Sequence, residues 1–334
     1  MHAKSGLRVL LEWKIIRPDS VITDVMPLKM KPVFLNFDDC LLGVSDTVYR
    51  TIQRLGAGGN AVTYLMVALD GPNKGVPFAV KLFKNLSAPE RRDQFLDEIE
   101  LLGSLQHPSI MRTYDWGFFT SGAEETKQPY VVAEYLPQTL RSALRSNSLS
   151  MTEKLSITLQ LLSALAYLSE RTPQIVHRDI KPANIFLKGK SCVLGDFGLA
   201  KVLDGSAEID RDIFKESAGV GMPFQYRTPD LVNYANNESD LTIQSDVFQL
   251  GLVLAELFTG NNPSKKSKKL LEPVSLNKIG TIRGAGSSDI STLLTRMLEF
   301  DPSKRDEIQM FADPFLKIFH DVSQKTMEIE GRIW

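Results

Sequence analysis

The rhythm of apolar and polar positions changes twice along the chain. Up to about residue 48, short apolar pieces such as RVLLEWKII and PVFLNF are broken by Pro18, Pro27 and Pro32, which reads as isolated strands or an extended arm. From Tyr49 the runs become strand-like: TIQRL, a glycine turn, AVTYLMVAL, a second turn at GPNKG, then VPFAVKLF. In the charged stretch APERRDQFLDEIELLGSL, Phe95, Ile99, Leu102 and Leu105 recur at helical spacing. IMRTYDWGFF and PYVVAEYL return to strand character. Residues 49 to 136 thus predict a five-stranded antiparallel sheet with one helix.

After Pro137 the period is helical. MTEKLSITLQLLSALAYLSE predicts a long helix with Thr152 as N-cap, and its segment Leu159 to Leu168 reads as buried. SDVFQLGLVLAELFTG predicts a second helix ended by Gly260, and SSDISTLLTRMLEF a third. The expected fold class is α+β, with a small sheet lobe (49–136), a connector near Leu136 to Thr139, a larger helical lobe (137–320) and a tail (321–334). A cleft between two lobes is a common place for a ligand. Residues 1–48 carry no functional signal; packing on the body and binding a partner both fit them.

Composition narrows the partners. The 334 residues are 43% hydrophobic and 24% charged, as in an ordinary soluble protein, and long enough to bury a sizeable core. A net charge of −1 gives no bulk attraction to nucleic acid or an anionic membrane, so neither is expected as a partner. The basic run KKSKK, Lys265 to Lys269, reads as a solvated loop, or as a nuclear address or acidic-partner dock. Cys40 and Cys192 lack a metal-ligand spacing and are expected as free thiols in a reducing, cytoplasmic setting. No apolar run approaches the ~18 residues that span a bilayer, and the N-terminus lacks a signal peptide's order of residues.

Three motifs carry chemistry. LGAGGNAVTYL, Leu55 to Leu65, taken alone is either a flexible turn or a lid over phosphates. IVHRDIKPANIFL and, soon after it, CVLGDFGLAK place acids, a lysine and an amide at short fixed spacings. With FAVKLF upstream, this ordered set resembles the eukaryotic-type protein kinase family, on its serine/threonine branch, over roughly Tyr49 to Phe319. Phosphoryl transfer asks for positioning and charge compensation, and the resemblance distributes those roles.

It implies Asp179 as the catalytic base toward a substrate hydroxyl, Lys181 facing the γ-phosphate, and Asn184 and Asp196 as oxygen ligands of Mg2+ or Mn2+. Lys81 would hold the α- and β-phosphates of ATP, with Glu98, nine residues before His107, as its ion-pair partner; Glu100 and Asp97 are alternatives. The lid would be Leu55, Gly56, Ala57, Gly58, Gly59, Asn60 and Ala61, and Thr63, Ala79 and Phe186 would sandwich adenine. Glu134 to Leu136 would present hinge backbone groups, with Ala133 as gatekeeper; Ala133 and Gly195 are both small, which implies a roomy pocket behind adenine. Asp246 matches a brace of the catalytic loop, or is a helix cap, and Arg305 matches the partner of Asp230.

Departures are specific. Ala61 replaces the family's third lid glycine and Thr63 its valine, while Met222 stands where a threonine hydroxyl usually ties the catalytic aspartate to the lysine after it. Arg178 would pair with a phosphate on the activation segment, for which Ser206, Ser217 and Thr228 are candidate acceptors. Protein substrates and ATP are the expected partners; a nucleotide-binding scaffold without turnover and a small-molecule kinase are the rivals.

Overall fold

A computed structural model describes residues 34–58, 61–83, 99, 103–120, 127–197, 201–202, 224–267 and 271–330. The first lobe is a six-stranded antiparallel sheet in the order β1-β2-β3-β4-β6-β5, with β1 Cys40–Leu42, β2 Val48–Ala57, β3 Ala61–Ala68, β4 Pro77–Phe83, β5 Thr113–Thr120 and β6 Lys127–Glu134. Its core follows from period-two alternation: Val62, Tyr64 and Met66 on β3, Phe78, Val80 and Leu82 on β4, and Tyr130 and Val132 on β6 form one buried cluster. In the charged stretch that predicts a helix, Ile99, Gly103 and Ser104 are helical, and most of its remainder lies outside the described residues.

The sheet also takes in a strand that precedes Tyr49. Cys40 pairs with Arg50 and Leu42 with Val48, so of the alternatives open for the stretch before Tyr49, residues 40–42 form a strand packed on the body. Three residues cannot show an alternation, and their place is set from afar. Val44 N–H donates to Trp116 O at 2.8 Å and Ser45 N–H to Asp115 Oδ1 at 3.3 Å. A Cβ on Gly43 would stand 1.9 Å from Asp115 Oδ2, so only glycine permits this approach.

The second lobe holds β7 Gln138–Thr139, α1 Leu140–Ser146, α2 Met151–Ser169, β8 Ile175–Val176, β9 Ile185–Lys188, β10 Ser191–Leu194, β11 Lys201–Val202, α3 Pro229–Ala235, α4 Gln244–Thr259, α5 Ser287–Met297 and α6 Ala312–Glu330. Helix α2 is capped by Ser150, not Thr152: the Ser150 side chain takes Glu153 N–H while the Glu153 carboxylate takes Ser150 N–H, a reciprocal pair that leaves Thr152 inside the first turn. Helix α4 is buried nearly all round, from Ser245 to Ala255 and again at Leu257 and Phe258, and forms the axis of the lobe's core with α2, α5 and α6. It ends at Gly260, whose φ of 80° lets its N–H return to Glu256 O at 2.8 Å.

Three contacts set the cleft. Leu194 N–H donates to Ser109 O at 2.9 Å and Met111 N–H to Leu194 O at 2.8 Å, tying the end of β10 to the loop before β5. Glu134, at the end of β6, forms an ion pair with Lys188 on β9. Lys265 and Lys266 are exposed in a loop, Cys40 and Cys192 are free, and no helix among the described residues is long and apolar enough to cross a membrane.

Candidate active site

The loop between β8 and β9 is built from beneath by α4. His177 N–H and Arg178 N–H donate to the two oxygens of Asp246 at 2.6 and 3.0 Å. The N-cap position of α4 is Ile243, so Asp246 is the brace of the two roles open to it. Burial pushes its carboxyl up to about 7, against those two donors and Arg178, which favour the anion. Arg178 sits at φ 64°, a left-handed kink rare outside glycine, and the kink turns Asp179 toward the cleft.

Asp179 Oδ2 receives Lys181 Nζ at 2.7 Å and Asn184 Nδ2 at 2.9 Å, and Asn184 Nδ2 also reaches Asp179 O at 2.9 Å. Asp179 Oδ1 has no donor among the described residues. Burial raises this carboxyl above the ordinary range, opposed by the Lys181 ammonium. Gly195 N–H donates to Asn184 O at 2.8 Å, so the loop is pinned to the next motif.

His177 joins the two motifs. It is fully buried, its Nδ1 accepts Asp179 N–H at 3.3 Å, and its Nε2 lies 3.1 Å from Gly195 O. A ring nitrogen that accepts carries no proton, so Nε2–H donates to Gly195 O. Desolvation holds its pKa at about 4, with Asp196 pulling up and Lys181 pulling down. The unfolded chain therefore takes up this proton first, so the His177 contribution to stability falls as pH drops from about 6.5 to 4, by about 3 kcal/mol, while the raised Asp246 carboxyl contributes in the opposite direction over the same window. Denaturant unfolding of the parent and of His177→Gln, which keeps a donor for Gly195 O, will differ across that window by this contribution; identical pH dependence in the two refutes the assignment.

Lys81, on β4, donates to Asp196 Oδ1. Burial works to raise the Asp196 carboxyl, but Lys81, Lys181 and His177 hold it at about 2, and 35% of the side chain stays open. Asp196 is thus an anion facing a cavity of about 160 Å³, which Thr63, Ala79, Lys81, Ala133 and Phe186 also line. Thr63 and Ala79 reach it because β3 and β4 pair in register at Thr63↔Lys81 and Leu65↔Ala79.

Other expected site residues stand apart from that cavity. Leu55, Gly56, Ala57 and Gly58 are exposed, Gly58 N–H closes on Ala61 O at 2.9 Å, and Ala61 is buried. Glu134 spends its side chain on Lys188 and its N–H on Arg112 O at 3.3 Å; Leu136 is half-buried. Gly59, Asn60, Glu98, Ser206, Ser217 and Met222 lie outside the described residues. Gly195 leaves no open space beside it: a Cβ there would meet Met111 Cε at 2.9 Å and Phe186 Cε2 at 3.0 Å, so neighbours already fill the space.

Thr228 is corrected as a phosphate acceptor. It is fully buried as the N-cap of α3, its Oγ1 accepting Leu231 N–H at 3.0 Å and lying 2.9 Å from Ser245 Oγ. Two roles escape the sequence reading: His177 as the link between motifs, and Gln249, three residues beyond Asp246 on the same helix, which also bonds the loop. The only signal for Gln249 is a polar residue inside an otherwise apolar run.

A family model described as "Protein kinase domain" matches residues 49–316. Relatives include a "Probable serine/threonine-protein kinase nek3" of Dictyostelium discoideum, 29% identical over 72% of this chain, and a "Probable serine/threonine-protein kinase PknB" of Bifidobacterium longum, 34% identical over 64%. A "Calmodulin-binding receptor-like cytoplasmic kinase 1" of Arabidopsis thaliana is 28% identical over 86%. The matched stretches make up 21%, 30% and 54% of those proteins' own lengths, so the chain spans only part of the relatives it matches.

Proposed function

The chain belongs to the protein kinase family, and from that premise we propose that it transfers the γ-phosphoryl group of ATP to serine or threonine hydroxyls of proteins. One observation carries the reading: two cations, Lys81 and Lys181, and three oxygen donors, Asp179, Asn184 and Asp196, converge on one cleft beside an apolar cavity. Cations and oxygen donors together suit a phosphate chain and its counter-ion.

Asp179 Oδ2 is held by Lys181 and Asn184, which leaves Oδ1 to take the proton of an incoming hydroxyl. Burial keeps this carboxylate more basic than an exposed one. Lys181 stands beside it to balance charge on the transferred group, and Lys81 steadies the nonreacting phosphates. Both hydrogens of Asn184 Nδ2 go to Asp179, so its Oδ1 faces elsewhere, and Asp196 is ionised; these two hard oxygens fit a magnesium ion. When bound, the ion would neutralise phosphate charge. Thr63, Ala79 and Phe186 would enclose the adenine ring.

The test incubates the full chain with radiolabelled ATP, magnesium and a generic basic protein, followed by phosphoamino-acid analysis. Label on serine or threonine is expected; nucleotide binding without transfer defeats the proposal in favour of a scaffold. A second expectation concerns Ala133, which lines the cavity. Bulky N6-substituted ATP analogues will serve as donors, and Ala133→Phe will reduce their use relative to ATP by about tenfold or more. Equal discrimination by parent and variant removes Ala133 from the gatekeeper role.

A further inference from the structure

The kink that aims Asp179 is held by two residues one turn apart on α4. Asp246 takes His177 N–H and Arg178 N–H from one side. Gln249 takes the other side: its Oε1 accepts Ile180 N–H at 2.8 Å and its Nε2 donates to Arg178 O at 2.9 Å. The remaining Nε2 hydrogen goes outside the loop, to Tyr226 O at 2.9 Å. Gln249 is fully buried, and its amide has one tolerable orientation, because a flip would set NH2 against N–H and oxygen against two carbonyls.

Tyr226 ends the segment that leads into α3, and α4 also holds the far end of its side chain. Its hydroxyl donates to Glu256, seven residues beyond Gln249, and receives Arg141 Nη2 at 3.2 Å. The carbonyl and hydroxyl of one residue are thus both gripped from α4, and the carbonyl grip is shared with the peptide groups on either side of Asp179.

We propose that Gln249 is a positioning residue that couples the Asp179 loop to the segment that ends at Tyr226 before α3, a proposal that rests on the kinase reading, in which that segment meets the acceptor. The need for such a coupling is visible in the sequence. Met222 occupies the place from which a threonine hydroxyl usually ties that segment to the aspartate and lysine, and a thioether cannot donate a hydrogen bond. Gln249 supplies a tie from below, through backbone atoms alone, whatever side chain stands at 222. A bond to Ile180 N–H alone would have filled the role of a core amide; the bond to Tyr226 O is what links two functional segments.

The test compares Gln249→Met, similar in volume without the bonds, with Phe315→Leu, a core change in α6 away from the cleft, both below their melting temperatures. In Gln249→Met, kcat falls between about 10- and 100-fold and KM for the protein acceptor rises, while KM for ATP stays within about twofold. Amide hydrogen exchange quickens together in 177–184 and 224–228, and in neither segment of Phe315→Leu. Parent-like kcat, or exchange that quickens in only one segment, overturns the proposal. Gln249→Ser, which leaves room for a water, is read in the same way should the methionine variant not fold. If the parent transfers no phosphate, the kinase reading falls, and the exchange result still decides whether Gln249 links the two segments.

Discussion

Asp179→Asn will slow phosphate transfer by about 10² to 10⁴-fold, with little change in melting temperature or nucleotide affinity. The direction follows from the bonds around the carboxyl. Lys181 Nζ and Asn184 Nδ2 both donate to Oδ2, so an amide at 179 must place its oxygen there. Its NH2 then occupies the position of Oδ1 and presents a donor to the acceptor hydroxyl. Size, packing and the bonds to the loop survive, while the proton acceptor does not. Initial rates with labelled ATP, a melting curve and a titration with a fluorescent nucleotide separate these effects. Parent-like turnover in the variant rules out Asp179 as the base; equal loss of nucleotide binding shows that the substitution has disturbed the cleft instead.

The same residues show what a sequence can carry. Asp179, Lys181, Asn184 and Asp196 are legible as a set because the proposed chemistry needs fixed types at short spacings, and the structure brings them to one cleft with Lys81. Strands β3, β4 and β6 are legible because one face is buried and every second residue says so. Strand β1 is not, since three residues carry no period and their position depends on Asp115, some 70 residues away. The cap of α2 was readable as Ser150-x-x-Glu153, a stronger signal than a lone Thr152. Burial of Thr228 beneath the segment it ends, and the filling of the space beside Gly195 by Met111, depend on neighbours that no local pattern names. Gln249 is the extreme case, because the groups it bonds lie 71, 69 and 23 residues back along the chain.

Arg305→Ala will cost about 3 to 5 kcal/mol of stability, roughly 10 °C in melting temperature for a domain of this size. The side chain is fully enclosed and spends its donors on Asp230 Oδ1 at 3.2 Å, Glu299 O at 2.8 Å, Phe300 O at 3.3 Å and Gln244 O, with its guanidinium 5.0 Å above the Phe248 ring. Asp230 Oδ2 lies 3.2 Å from Nη2 but off the hydrogen-bond axis, so the pair rests on one aligned bond and proximity of charge. Removing the arginine leaves Asp230 buried without its cation, and that stranded charge, more than the lost bond, sets the size of the effect. Two further variants test this. Arg305→Lys keeps the charge without the planar fork and will recover only part of the loss. In Arg305→Ala/Asp230→Ala the stranded charge is gone, so the double variant will be less destabilised than the two single changes summed. Strict additivity would show that the pair contributes nothing as a pair, and would reduce Arg305 to a carbonyl cap at the foot of α4.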